Sequence, residues 1–184
     1  MQVSIGGSLL QLLQGDITEQ VVDLITNAAN SALAGGGGVD GAIHRRGGPA
    51  IMAETRRRFP DGCPTGSAVI TAAGNLPARY VAHAVGPIWD GGNAGEAQLL
   101  AAAYKSVLEQ AIALDCQSVA FPALSAGAYG YPLREAAHVA ISTTLDMLKQ
   151  NSRPGEVRFV LFDQRALSTF TEVLTRLAGD LEPN

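Results

Sequence analysis

Asn27-Ala28-Ala29-Asn30-Ser31-Ala32-Leu33-Ala34-Gly35-Gly36-Gly37-Gly38-Val39-Asp40-Gly41-Ala42-Ile43-His44 decides how this chain is read, because it sets two amides, four consecutive glycines and a carboxylate between a strand and a helix. The preceding Val22-Asp23-Leu24-Ile25-Thr26 is short, apolar and β-branched, as a buried strand is, and Val39 to Arg46 opens a helix. Gly35, Gly36, Gly37 and Gly38 therefore fall at a strand-to-helix turn. Backbone without side chains lets a ligand approach closely and points several N–H groups at an anion, while the helix N-terminus adds partial positive charge. Phosphate is the natural guest. Four glycines alone read equally well as a flexible surface loop. Asn27 and Asn30 just before them and Asp40 just after, all groups that hydrogen-bond ribose hydroxyls, favour a ligand cradle.

Working outward, strands and helices alternate. Val3-Ile5 and Leu9-Gln14, separated by Gly6-Gly7-Ser8, predict a hairpin, and Asp16 followed by Glu19 predicts a capping box. After the cradle, Pro49 opens a helix over Ala50 to Phe59, and strands follow at Ser67-Thr71 and Tyr80-Val85. Glu96 to Leu114 is a helix with Leu100, Ala103, Val107, Ala111 and Leu114 on one face, feeding the strand Ser118-Phe121. A second cradle, Pro122 to Pro132, again joins strand to helix and offers N–H groups from Ser125, Ala126, Gly127, Ala128 and Tyr129. Leu133 to Gln150 is a helix, Val157 to Phe162 a strand, and Leu167, Phe170, Leu174 and Leu177 mark a last helix before a frayed tail at Ala178-Asn184. Strands that are apolar on both faces, alternating with helices, predict a three-layer α/β/α sandwich around a mixed, largely parallel sheet. In such sheets ligands sit at the carboxyl ends of the strands, where both glycine loops fall.

Both cradles carry a resemblance. From about Leu12 to Ala178 the chain is similar to the macrodomain family, specifically its MacroD-type branch, with matching residues also at Gly66, Val69-Ile70, Leu76-Pro77 and His83-Ala84-Val85-Gly86-Pro87. The resemblance implies binding of ADP-ribose and hydrolysis of O-acetyl-ADP-ribose or of ADP-ribosyl esters on acidic side chains of proteins. It assigns the adenine amine to the Asp16 carboxylate, with help from the Ile17 backbone, and stacks Phe162 on adenine. On residues alone, Phe162 reads as core and Asp16 as a helix cap. Asn30 would orient the distal ribose, Asp40 would position or deprotonate water, and the amides from Gly36 through Val39 to Asp40 would hold phosphate. Tyr129 would cover the distal ribose. An ordinary Asp, with a pKa near ~3.9, is a weak base at neutral pH, so the diphosphate is expected to raise it or to share the task. The family usually carries Ser-Thr-Gly-Val or Ser-Thr-Gly-Ile in the second loop, so Ala126 and Ala128 depart from it. The missing threonine hydroxyl forfeits about 1 kcal/mol of hydrogen bonding. Neither metal nor cofactor is required.

Bulk properties bound the alternatives. The 184 residues suit one domain over 1–184, and 47% hydrophobic against 16% charged residues predicts a folded core. A net charge of −4 argues against a broad nucleic-acid surface, and Arg45, Arg46, Arg56, Arg57 and Arg58 read as a solvated helix face. Cys63 and Cys116 lack metal spacing and read as reduced thiols, and three scattered histidines make no metal constellation. His83, in an apolar strand, reads as a hydrogen-bonded core histidine, His138 as structural, and His44 as orienting the loop. Without a signal peptide or spanning apolar run, a cytoplasmic monomer is expected, acting on ADP-ribose compounds and away from membranes. A non-catalytic ADP-ribose reader is the main alternative. A nicotinamide-dependent oxidoreductase is disfavoured because the glycines lack the Gly-x-Gly-x-x-Gly spacing and the chain is short for a substrate domain.

Overall fold

Leu24 and Ile25 point to opposite faces of one strand, and alternations of this kind build the sandwich. The computed structural model describes residues 1–179. Its strands are β1 (Gln2–Ile5), β2 (Ser8–Gln14), β3 (Leu24–Ala28), β4 (Ala68–Ala72), β5 (Tyr80–Ala84), β6 (Ser118–Phe121) and β7 (Glu156–Leu161). Its helices are α1 (Gly38–Gly47), α2 (Pro49–Arg58), α3 (Glu96–Ala113), α4 (Leu133–Asn151) and α5 (Gln164–Gly179).

The sheet order is β1-β2-β7-β6-β3-β5-β4. The five central strands pair in parallel, and β1 and β4 close the two edges antiparallel. Leu24, Ala82, Val119, Phe121, Val157 and Phe159 face one way and bury against α3, α4 and α5. Ile25, Val81, Ala120 and Val160 face the other way and bury with Ile43 of α1 and Ile51 of α2. The expected three layers are present, with the expected mixed and largely parallel sheet. No helix among the described residues is long and apolar enough to cross a membrane.

Two consequences place a site. Every central strand is parallel, so the chain leaves all five at the same end of the sheet. From β3 the chain proceeds through α1, α2 and β4 to β5 on one side, whereas from β6 it proceeds through α4 to β7 on the other. The chain therefore changes direction between β3 and β6, where a crevice opens outside the strand ends. The β3–β6 pairing covers only Leu24–Val119 and Ile25–Ala120, and the strands part beyond it.

Some local expectations change. β3 starts at Leu24 and runs to Ala28; Val22 is occupied outside it, its N–H donating to Pro77 O at 3.4 Å. Asp16 does cap the short 3-10 turn Ile17–Glu19, accepting from Thr18 N–H at 2.8 Å and Thr18 Oγ1 at 2.6 Å. The reciprocal half of a capping box is not made, because the Glu19 carboxylate turns outward to Arg46 at 3.1 Å. Ala178 belongs to α5 rather than to a tail, and positions 180–184 lie outside the described residues.

Candidate functional site

The cleft between β3 and β6 holds about 340 Å³ and is lined by both glycine loops, Gly36 to Asp40 on one wall and Ala123 to Tyr129 on the other. A second groove of about 440 Å³ shares Val39, Ala123 and Gly127 with it and continues to Ala126, Val160 and Phe162. One trough thus runs from Asn30 and Asp40 to the exit of β7. A volume of this order suits a small-molecule ligand.

Each wall offers unpaired donors. At α1 the first intrahelical bond outside the helix proper is Gly41 N–H to Gly37 O at 3.1 Å, and among the described residues the N–H groups of Gly36 to Asp40 find no protein acceptor. A helix N-terminus leaves such groups free and carries partial positive charge. In the second loop Ala126 N–H turns inward to Ala123 O at 3.4 Å, whereas among the described residues Gly127, Ala128 and Tyr129 donate to no protein acceptor. Ser125 holds this loop in shape with φ +64°, a left-handed conformation that a non-glycine residue adopts only under constraint. A Cβ on Gly86 would sit 2.3 Å from the Ser125 hydroxyl, so the glycine lets the β5 exit pass close to this loop with Ser125 in its present rotamer.

Asn30 spans the first loop. Its Nδ2 donates to Gly35 O at 3.0 Å and its Oδ1 accepts from Ala34 N–H at 3.1 Å, so the amide shapes the glycine turn while lining the cleft. Asp40 sits in the first turn of α1, nearly buried. Its Oδ1 accepts from Asn27 Nδ2 at 2.7 Å and lies 3.2 Å from His44 Nε2, one helical turn on. The second oxygen, Oδ2, faces Gly36 and has no protein donor among the described residues. Burial pushes the Asp40 carboxyl up, but the hydrogen bonds from His44 and Asn27 and the histidines' charge outweigh it and hold it below the usual aspartate value. Asp40 is therefore a carboxylate with one oxygen pinned and one available.

Asn27 itself does not reach the cleft. It is fully buried beneath Asp40, with its Nδ2 also 3.1 Å from His83 Nδ1. The ribose contact expected of it is therefore replaced by support of Asp40, because its position on β3 points toward α1. Gly35 likewise shapes the turn behind the lining. Asp16 is exposed at the exit of β2, and Ile17 packs with Val160 and Val39 beside the outer groove, with Asp16 Oδ1 tied to Thr18. Phe162 is 84% exposed along that groove, which overturns its reading as core.

Three residues beyond the expected set also shape the site. Tyr104 of α3 is fully buried, its hydroxyl donating to Pro122 O at 3.3 Å and accepting from Leu124 N–H at 3.0 Å. It thereby anchors the start of the second loop. Trp89 N–H donates to Tyr129 O at 2.9 Å, and Glu96 gathers the N–H groups of Asp90, Gly92 and Ala94 at 2.7–2.9 Å, fastening the β5–α3 loop beside the cleft. A tyrosine on an apolar helix face was visible in the sequence, but its partner across the fold was not.

A family model described as the macro domain matches residues 26–140, more than half of the chain. The chain belongs to the macro domain family. Among similar proteins, a macro domain-containing protein of Caldanaerobacter subterraneus is 52% identical over 91% of this chain and 97% of its own length. The O-acetyl-ADP-ribose deacetylase of Salmonella gallinarum is 49% identical over 94% of this chain and 98% of its own. The Oceanobacillus iheyensis macrodomain, solved with ADP, superposes with a TM-score of 0.93 at 39% identity, covering 98% of this chain and 97% of that one. The trough described above is thus the cleft of a macro domain, bounded by its two glycine loops.

Proposed function

We propose that this protein hydrolyses esters at the distal ribose of ADP-ribose, with O-acetyl-ADP-ribose as substrate and ADP-ribosyl esters of protein carboxylates as a further class. The observation that carries the reading is Asp40: a buried carboxylate with one oxygen unpaired among the described residues, standing in the first turn of a helix. Relatives named O-acetyl-ADP-ribose deacetylase that span nearly the whole chain support it.

The diphosphate lies across the free amides of Gly36 to Asp40 and of Gly127 to Tyr129, which meet its charge without a cationic side chain. This suits an acidic protein. Adenine extends along the outer groove against Phe162, with Asp16 at its edge, and the distal ribose reaches Asn30 and Tyr129. Asp40 Oδ2 accepts a hydrogen bond from the attacking water and orients its lone pair toward the acyl carbon. The water oxygen bonds to that carbon as the bond between the acyl carbon and the ribose oxygen breaks; one water proton ends on the ribose oxygen and the other is released to solvent, giving a carboxylate and ADP-ribose. The free carboxylate is a weak base because its pKa is lowered. The bound diphosphate raises its proton affinity by like-charge repulsion, which favours proton transfer at the moment of attack.

Acetate release from O-acetyl-ADP-ribose and ADP-ribose calorimetry, on wild type and Asp40→Ala, test the reading. Turnover should fall by about 10²- to 10⁴-fold, the range for loss of a positioned base. ADP-ribose affinity should stay within roughly tenfold, about 1.4 kcal/mol. Binding by wild type without turnover on either ester would make the protein a reader, and parallel loss of binding and turnover in Asp40→Ala would remove Asp40 from the chemistry.

A further inference from the structure

We propose that Thr71 and His83 are positioning residues of this site: a one-way chain of hydrogen bonds from the backbone of edge strand β4 fixes the Asn27 amide with its nitrogen toward Asp40. The proposal rests on the hydrolase reading above and adds the residues that set the carboxylate's geometry.

The two ends of an asparagine amide are nearly alike in shape and opposite in hydrogen-bonding sense, so packing alone does not choose between them. Asn27 is wholly buried and among the described residues its Oδ1 has no partner, so satisfaction of the oxygen does not choose either. The choice falls to the partners of its nitrogen, and these are set from the far end of the chain. Thr71 has one hydroxyl proton, and Ala72 O, an acceptor only, lies 3.0 Å from Oγ1 and takes it. Thr71 Oγ1 is then an acceptor toward His83 Nε2 at 2.9 Å, which places the imidazole proton on Nε2. With Nε2 protonated, Nδ1 of the neutral ring accepts, and Asn27 Nδ2 donates to it at 3.1 Å. The other proton of the same nitrogen is left for Asp40 Oδ1 at 2.7 Å. Flipping the amide would set its oxygen against both the Nδ1 lone pair and the Asp40 carboxylate.

Sheet register makes the chain possible. Asn27 lies opposite His83, His83 opposite Val69, and Thr71 opposite Val81. All three polar residues therefore share the face of Ile25 and Val81, the face toward α1. Each is buried, and burial keeps His83 neutral. Neither Thr71 nor His83 lines the ligand cleft, so both act through Asn27.

Long-range proton–nitrogen NMR on labelled protein at pH 7 should show His83 protonated on Nε2. In Thr71→Val, which keeps shape and removes the acceptor, kcat on O-acetyl-ADP-ribose should fall about tenfold while KM and ADP-ribose affinity stay within about twofold, and Thr71→Ser should restore kcat. Melting temperatures of the variants identify any that fail to fold, and the His83 tautomer still decides in that case. Protonation of His83 on Nδ1, unchanged kcat in folded Thr71→Val, or equal loss of kcat and affinity would overturn the proposal. A wild type that binds but does not turn over would instead overturn the hydrolase reading, while the His83 tautomer would still uphold or refute the chain.

Discussion

His83 makes the protein's stability depend on mild acid, and the size of the effect follows from its surroundings. Burial drives its pKa down from 6.5 to about 4, assisted by the charge of His44 and opposed by the carboxylates of Asp40 and Glu54. The lowered native value means that the unfolded chain takes up a proton near pH 6.5 while the folded protein does not until about pH 4. The stabilisation is therefore complete above pH 6.5 and is lost as pH falls toward 4. At about 1.4 kcal/mol per pH unit, the step from pH 7 to pH 5 removes about 2 kcal/mol. This window is informative because the Asp16, Asp40 and Glu54 carboxylates are held below their ordinary values and titrate further down. Urea unfolding at pH 7 and pH 5, on wild type and His83→Gln, isolates the contribution. The variant, unable to titrate there, should lose about 2 kcal/mol less than wild type between the two pH values. An identical loss in both proteins would mean that His83 is not held neutral by burial.

Two further substitutions separate scaffold from site. Gly62 adopts φ +79° and a Cβ there would meet Ser31 O at 2.1 Å, so Gly62→Ala should cost about 2–4 kcal/mol from left-handed backbone and overpacking together, read as a lower urea midpoint. Stability within about 0.5 kcal/mol of wild type would refute the close approach. Phe162→Ala should leave the urea midpoint unchanged, because the ring is 84% exposed. It should weaken ADP-ribose binding by about 1–3 kcal/mol if the ring stacks on the base, as calorimetry would record; unchanged affinity would remove Phe162 from the adenine subsite.

The elements around the first cradle were legible because their signals are local. Four glycines between an apolar β-branched run and a helix opening specify a strand-turn-helix unit whatever surrounds it, and α1 and β3 lie within two residues of their expected bounds. Leu100, Ala103, Val107 and Ala111 of the expected α3 face are all buried, since a 3.6-residue period fixes a helix face before any partner is known. The family could likewise be read from the two loops, because short motifs with fixed spacing survive in the linear chain.

Direction, in contrast, was decided by the tertiary structure. Asn27 and Asn30 are three residues apart and chemically identical, yet one is buried under Asp40 and the other lines the cleft, because β3 ends between them and alternation gives way to a turn. Phe162 follows Leu161, which is buried, but stands beyond the last paired residue of β7, where among the described residues no neighbouring layer covers it. His83 was readable as a core polar residue, and Thr71 only as the end of a strand. Their joining into one chain with Asn27 required the antiparallel β4–β5 and parallel β3–β5 registers, which are contacts between segments distant in sequence. Sequence by itself determined which segments become strands, helices and glycine-rich loops, since those depend on neighbours along the chain. Only the packed sheet decided which polar side chain faces ligand and which holds another in place, since that depends on neighbours across it.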